Sequence, residues 1–460
     1  MHWRDKLQLA ARVIAMRWHD RWSRPRLLRF QQKRLVRLLR FAKARSPYYR
    51  RTLAGLEGAG LAELPTLGKR DLVEHWDALV TVPDLRLAEL LRFLERPPAV
   101  AERYAERYQV MATSGTTGLR AVFCYAPEEW LEVNASAARL TAWRDGAGPS
   151  LHDRLALVLL PGGAVPPPMG ARMAATLSRF FPGTTLIDAS RPTAEIVAAL
   201  QACQPTLLAG YAGTLALLAE DQRAGRLRIA PRLIQSSSEV LDSTMHARIR
   251  EAFGVEPHNS YAMTEAGMVA GTCALGRGLH LQEDSVILEN VDEVGRPVPP
   301  GRFGSRVLLT VLWSRTLPLI RYEVSDRVRF AEAPCPCGRP YATIEAIDGR
   351  AGDVLALPGR NGAPVHLTPS QIQRLLGDWP VAGWQLHYRP GRLRIDVVPL
   401  AGASFDPMAA AAALRRALAE AGCGEIGAVA VEIVERIAAG PSGKVARFLI
   451  QPDPVPATNG

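Results

Sequence analysis

From residue 154 onward the chain alternates between short apolar runs and amphipathic stretches, and few folds can accommodate that regularity. "RLALVLL" (154–160) reads as a buried strand, "MGARMAATLSRFF" (169–181) as a helix, "TTLIDA" (184–189) as a strand and "PTAEIVAALQAC" (192–203) as a helix. "PTLLAG" (205–210), "YAGTLALLAEDQRAG" (211–225) and "PRLIQSSS" (231–238) continue the series as strand, helix and strand. Strands alternating with helices predict a parallel sheet covered by helices. In open sheets of this kind ligands sit beyond the C-terminal ends of the strands. The loops "AGYAG" (209–213) and "SSSE" (236–239) fall at those ends, so they are candidate pocket walls.

The texture changes on either side of this region. Before residue 105 helices and loops are expected. From about 280, "SVILENV", "SRVLLTVL" and "RVRFA" read as antiparallel strands joined by Gly/Pro turns. After the glycines of "IDGRAGDVL" (347–355), the strands "GWQLHYR" and "RLRIDVVPL", the helix "DPMAAAAALRRALAEAG" and the strand "GAVAVEIVERI" form a small α+β domain. The expected division is a basic helical region 1–105, a core 106–348 and a small domain 349–460. At 460 residues, 48% hydrophobic and 22% charged, the chain has the composition of a globular protein with a large core, which excludes disorder. No signal peptide and no apolar run of membrane-spanning length is evident. Six cysteines, four of them widely separated singles, do not make a disulfide scaffold, so a reducing cytoplasm is expected.

Charge is very uneven. Residues 1–51 hold 16 Lys or Arg against Asp5 and Asp20, and the remaining chain is close to −3 of the net +11. Such a segment suits an acidic partner, anionic lipid or nucleic acid. Leu28, Leu35, Leu38, Leu39 and Ala42 recur at helical spacing, so one face can pack on the body while the arginines stay in water. Trp3, Trp18 and Trp22 keep peripheral contact with the inner membrane face open. Nucleic acid is set aside, because no reading module or interleaved stacking motif accompanies the charge.

Several short segments can carry chemistry. "TSGTTG" (113–118) is too small to build a core. Its glycines Gly115 and Gly118 and hydroxyls Ser114, Thr116 and Thr117 suit an anion cradle, though not the Walker-type loop. "NSYAMTEAG" (259–267) sets Thr264, able to bind a phosphate oxygen, beside Glu265, able to hold Mg²⁺. "PLIRYEVSD" ends on Asp326, whose two acceptor oxygens match a ribose diol. "GPSGKVARF" (440–448) carries Lys444 on a Gly/Ser turn before the last strand. Each also has an ordinary reading as surface loop, helix start, salt bridge or solvated lysine.

In this order and at these separations the segments resemble the adenylate-forming (acyl-AMP) ligase superfamily, in particular its phenylacetate–CoA ligase branch, including the short capsule-cluster and coenzyme-synthetase members. The resemblance runs from about residue 30, at "AKARSPYYR", to 450, and takes in "SSSEVL", "YAMTE", "GLHLQED" and "PSGKVARF". It implies an α/β fold: a large N-terminal adenylation domain of helix-covered mixed sheets with a smaller β-rich part, and a small mobile α+β C-terminal lid domain. It implies that Ser114, Gly115, Thr116, Thr117 and Gly118 cradle the β- and γ-phosphates of ATP. Ser238, Glu239 and Tyr261 would flank the adenine, Asp326 and Arg350 would hold the ribose side, Thr264 the α-phosphate and Glu265 the Mg²⁺. Lys444 would bridge the substrate carboxylate and the phosphate. The implied activity is an AMP-forming ligase acting on a small, aromatic carboxylic acid, with CoA or the phosphopantetheine arm of an acidic carrier protein as acceptor. Gly352 stands where most relatives carry a hinge carboxylate, while Arg350 and Asp353 remain. The alternative is a non-catalytic protein of the same fold that binds a partner or membrane through its basic N-terminus.

One constellation belongs to none of this. "CALGRGLH" supplies Cys273 and His280, and "CPCG" supplies Cys335 and Cys337. Three thiols and an imidazole meet the ligand demand of a closed structural Zn²⁺ site. The alternative reading is a core thiol, a packed histidine and a plain turn.

Overall fold

The apolar runs become strands because a parallel sheet buried on both faces needs near-continuous Val, Ile and Leu. The computed structural model describes residues 3–95, 99–113, 120–145, 150, 152–160, 167–350, 355–377, 379–400, 402–437 and 447–450. It divides into two units, Met1–Ile347 and Asp348–Gly460.

The first unit is built on a sheet of nine described strands. In spatial order these are Asp326–Phe330, Thr343–Arg350, Leu279–Leu281, Gly267–Gly271, His258–Met263, Leu233–Ser237, Leu207–Tyr211, Leu155–Leu159 and Thr184–Asp188. The last five run parallel, and pairing turns antiparallel from His258–Met263 outward through Leu279–Leu281 to Thr343–Arg350. The helices Met169–Leu177, Thr193–Cys203, Ala212–Arg223 and Ser243–Phe253 connect the parallel strands. The last of these starts where the Asp242 carboxylate accepts from the Met245 N–H at 2.8 Å and stops at Gly254 in the left-handed region. A three-stranded antiparallel sheet, Val286–Val291, Arg306–Val311 and Tyr322–Val324, supplies the β-rich part.

The basic helix Arg24–Arg45 buries Leu27, Leu35, Leu38 and Ala42. Leu28, expected on the inner face, is 41% exposed while Leu27 is fully buried. The packed stripe begins one residue earlier than the pattern suggests, because a Leu-Leu pair supports either phase. The charges of this region are partly internal. Arg24 forks onto the Glu283 carboxylate, Gln31 donates to the Glu283 carbonyl at 2.8 Å, and Arg34 donates to the Asp284 carbonyl at 3.0 Å. "GLHLQED" thus fastens the N-terminal helices.

Beneath that contact lies Arg139, fully buried on the helix Pro127–Asp145. It donates to both Asp284 oxygens, at 2.7 and 2.9 Å, and to the Gln282 amide oxygen. His19 Nδ1 lies 2.6 Å from Asp284 Oδ2, at the end of the helix Trp3–His19. Burial alone would raise the Asp284 carboxyl, but Arg139 and His19 hold it well below the usual carboxylate range.

The second unit has its own core around Leu386, Leu393, Ile395, Val397 and Leu414. Its four-stranded sheet runs Ala428–Ile433, Arg392–Pro399, Val381–Arg389, Phe448–Ile450, with the helices Pro369–Leu376 and Pro407–Glu420 alongside. Each helix carries proline in its first turn, behind the caps Thr368 and Asp406.

Candidate active site

The parallel strands deliver their C-terminal ends at Tyr211, Ser237 and Met263; Tyr211 pairs with Ser237 and Ser237 with Ser260, so the last strand runs on past the other two. The two loops expected as pocket walls are joined to each other. Glu239 Oε2 accepts from the Gly213 N–H at 2.9 Å, where the helix Ala212–Arg223 begins. Glu239 therefore serves the loop's shape and adds negative charge at a helix start. Ser238 has φ +69°, a left-handed conformation that a serine adopts at a cost, as residues at ligand sites often do.

The turn after His258–Met263 carries Thr264 and Glu265, both half-buried. Gly267 closes it because a Cβ there would lie 2.9 Å from the Val133 side chain and the residue has φ +74°. From the preceding strand the Tyr261 hydroxyl donates to Asp326 Oδ2 at 2.5 Å. Residues 65 apart in sequence are thus joined, and Asp326 stands at the head of its own strand.

The segment 114–119 joins the strands Gln109–Ala112 and Val122–Tyr125 and lies outside the described residues, so Ser114, Gly115, Thr116, Thr117 and Gly118 are not placed. Its flanks are closed by the Thr113 N–H donating to the Ala121 carbonyl at 2.9 Å. At the base of this ribbon the Tyr125 hydroxyl donates to the Thr264 carbonyl. Burial, with Glu265 and Glu129 nearby, pushes the Tyr125 phenol well above its ordinary value, so it remains a donor. Lys444, Gly352 and Asp353 also lie outside the described residues, and Arg350 closes the strand Thr343–Arg350.

Nucleotide fits this arrangement on one further observation. Among the described residues, the buried hydroxyls of Thr113, next to the loop, and Ser236, near a strand end, have no hydrogen-bond partner. Buried polar atoms are rarely left so, and hydroxyls at a phosphate site are satisfied by the ligand. The half-buried Glu265 carboxylate is the hard-oxygen ligand that suits Mg²⁺, and the Thr264 hydroxyl beside it suits a phosphate oxygen.

Two residues escaped the sequence reading. One is Tyr125, whose hydroxyl meets the Thr264 carbonyl. The other, Arg172 on the helix Met169–Leu177, is 1% exposed. Its guanidinium donates to the Glu102 carbonyl at 2.6 Å and the Gln109 amide oxygen at 3.2 Å, while Nε and Nη2 have no partner among the described residues. Burial pulls it down to about 10.

The cysteines and histidine come together as one cluster in the first unit. The ligand atoms of Cys273, His280, Cys335 and Cys337 all lie within 4.8 Å of one another. Burial, helped by Arg339, lowers the His280 imidazole to about 4, which keeps it neutral.

No family model matches the chain. It is similar to a phenylacetate–coenzyme A ligase of Thermus thermophilus, with 28% identity over 373 residues, 77% of this chain and 76% of that protein. Among solved structures, a 2-hydroxyisobutyryl-CoA ligase in the postadenylation state aligns with TM-score 0.69 and 20% identity, over 92% of this chain and 89% of that one. An anthranilate CoA ligase in complex with anthranoyl-AMP aligns with TM-score 0.54 and 15% identity, over 74% of this chain and 65% of that one.

Proposed function

From the fold of the adenylate-forming CoA ligases and its likeness to a phenylacetate–CoA ligase, we propose that this protein is an ATP-dependent acid–thiol ligase. It joins a small carboxylic acid to AMP with release of pyrophosphate, then passes the acyl group to a thiol with release of AMP. The observation that carries the reading is the Tyr261–Asp326 hydrogen bond. It brings an aromatic ring, a diol-binding carboxylate and the adjoining Thr264–Glu265 turn to one place at the C-terminal strand ends.

The chemistry follows from these groups. The acid's carboxylate is ionised at neutral pH and attacks the α-phosphorus directly, so no general base is needed. Two anions must meet, so donors and positive charge have to be in place beforehand. Tyr261 lines the adenine, Asp326 accepts from the ribose hydroxyls, and Thr264 donates to the α-phosphate. The loop 113–118 holds the departing pyrophosphate. Mg²⁺ held at Glu265 would neutralise phosphate charge. Lys444 bridges the carboxylate and the α-phosphate as charge shifts to the leaving group.

The acid is assigned to the aryl class, in line with the acids named for the Thermus relative and the anthranilate ligase. The acceptor is CoA or a carrier's phosphopantetheine arm. A carrier is favoured by the exposed row Arg29, Lys33, Arg37 and Arg40, whose spacing puts four cations on one helix face. The reaction is placed in the cytoplasm, where ATP and reduced thiols are at hand. No described helix is long and apolar enough to cross a membrane.

Pyrophosphate release, measured over a panel of aryl, arylacetic and short hydroxy acids, tests the reading. At least one acid is expected to give turnover that Lys444→Ala lowers by about 10²–10³-fold while ATP still binds. ATP binding with no pyrophosphate from any acid would favour a non-catalytic protein of this fold.

A further inference from the structure

We propose that Cys273, His280, Cys335 and Cys337 form a closed structural zinc site that fastens the strands between the two nucleotide-binding side chains. The proposal is independent of the acid ligase reading, since it needs no ATP and no acid.

The groups come from one strand and from turns beside its two neighbours in the sheet. Cys273 follows Gly267–Gly271 on a turn closed by the Gly276 N–H and the Cys273 carbonyl at 2.9 Å. His280 is the middle residue of Leu279–Leu281, and the register sets it opposite Gly271 on one side and Thr343 on the other. Cys335 and Cys337 sit on the turn before Thr343–Arg350, held by the Gly338 N–H donating to the Cys335 carbonyl at 3.3 Å. The tight Cys-x-Cys spacing, unusual for zinc in a lone knuckle, works here because the other two ligands arrive from adjacent strands.

Two of the six ligand–ligand distances match those of a tetrahedron, and all six are within 4.8 Å. Four ligands at ordinary zinc bond lengths stand about 3.8 Å apart for sulfur pairs and about 3.5 Å for sulfur and nitrogen. Here Cys273 Sγ and Cys335 Sγ are 3.9 Å apart, and Cys337 Sγ and His280 Nε2 are 3.4 Å apart. Cys273, His280 and Cys335 are buried and Cys337 is partly so. Thiols are poor hydrogen-bonding groups, so three of them turned toward one buried imidazole gain little from each other. Three thiolates and an imidazole complete four-coordination and leave no open position, which makes the site structural rather than catalytic. Soft sulfur ligands also disfavour the Mg²⁺ expected at Glu265. The Trp143 ring meets the His280 ring edge-on at 6.0 Å, and the Arg339 guanidinium lies over that same indole at 5.4 Å. An aromatic wall and a cation therefore adjoin a centre that carries one net negative charge when filled.

The position explains its use. In the sheet the ligand-bearing strands lie between the strand of Tyr261 and the strand of Asp326. The Tyr261–Asp326 hydrogen bond closes across them. Zinc would hold the intervening strand ends together and so preserve that pair.

The test uses the full chain, expressed without a metal-binding tag in zinc-supplemented medium and purified without chelator. Elemental analysis is expected to find one zinc per chain, released in step with titration of three thiols by an organomercurial. X-ray absorption is expected to show three sulfur neighbours and one nitrogen. His280→Cys keeps the zinc with four sulfur neighbours and His280→Ala loses it, with a fall in Tm in the second variant alone. Folded wild-type protein with clearly less than one zinc per chain would overturn the proposal. So would a disulfide among these cysteines in the intact mass, or iron in place of zinc.

Discussion

Asp284 is almost wholly buried, yet it stays ionised because Arg139 and His19 face it from two different helices. Removing one partner of such a pair leaves an uncompensated buried charge. Asp284→Ala is therefore expected to cost about 3–5 kcal/mol, measured by urea unfolding. The pH dependence has a definite sign. The unfolded carboxyl titrates near 3.8 and the folded one well below, so the stabilisation is complete above about pH 5 and is lost as the pH falls toward the folded value. Asp284→Asn is expected to flatten the acid limb of the stability profile; an unchanged limb would show that another carboxylate sets it. At the proposed active site Tyr261→Phe removes only the hydroxyl that donates to Asp326. It is expected to raise KM for ATP several-fold with a smaller change in kcat, whereas Asp326→Ala raises it by about tenfold or more, the worth of a lost charge-assisted hydrogen bond. Equal effects of both variants on kcat alone would place the pair away from the nucleotide. None of the Arg139 network was legible in sequence, because its partners stand 145 positions apart and an arginine in a helix reads as solvated.

The helix Arg24–Arg45 divides its cations between two tasks. Arg24 and Arg34 bind the Glu283–Asp284 segment, while Arg29, Lys33, Arg37 and Arg40 project into solvent. Reversing the four exposed charges to Glu is expected to leave folding, adenylation and transfer to free CoA unchanged. Transfer to an acidic carrier is expected to slow by about tenfold or more at low salt, as steering is lost. An unaltered rate, assayed with holo-carrier as acceptor, would remove the carrier from consideration. The strands and helices after residue 154 were legible because fully buried strands are continuous apolar runs and their helices are not. The inner face of the basic helix was legible only to within a residue, since Leu27 and Leu28 satisfy the same period. "GLHLQED" was legible as a motif but not as a fastening, because the sequence does not show which helix its acids will meet.

Two units with separate cores should unfold separately. Differential scanning calorimetry is expected to resolve two transitions for the free protein, one for residues 1–347 and one for 348–460. The proposed reaction draws Tyr261, Thr264, Glu265 and Asp326 from the first unit and Lys444 from the second. A ligand that binds only the first stabilises only that one, by about 2.7 kcal/mol at a hundredfold excess over its Kd. AMP alone is therefore expected to raise the transition of the larger unit. If Lys444 acts as proposed, a non-hydrolysable acyl-adenylate analogue should raise both transitions and bring them together. Lys444→Ala should undo this coupling, leaving the analogue to act on the larger unit as AMP does. If the analogue moves a single transition equally in wild type and Lys444→Ala, the lysine does not reach the adenylate, and the charge that offsets the meeting of two anions must come from the first unit. Arg172, buried with Nε and Nη2 unpartnered among the described residues, would then be the cation to mutate next.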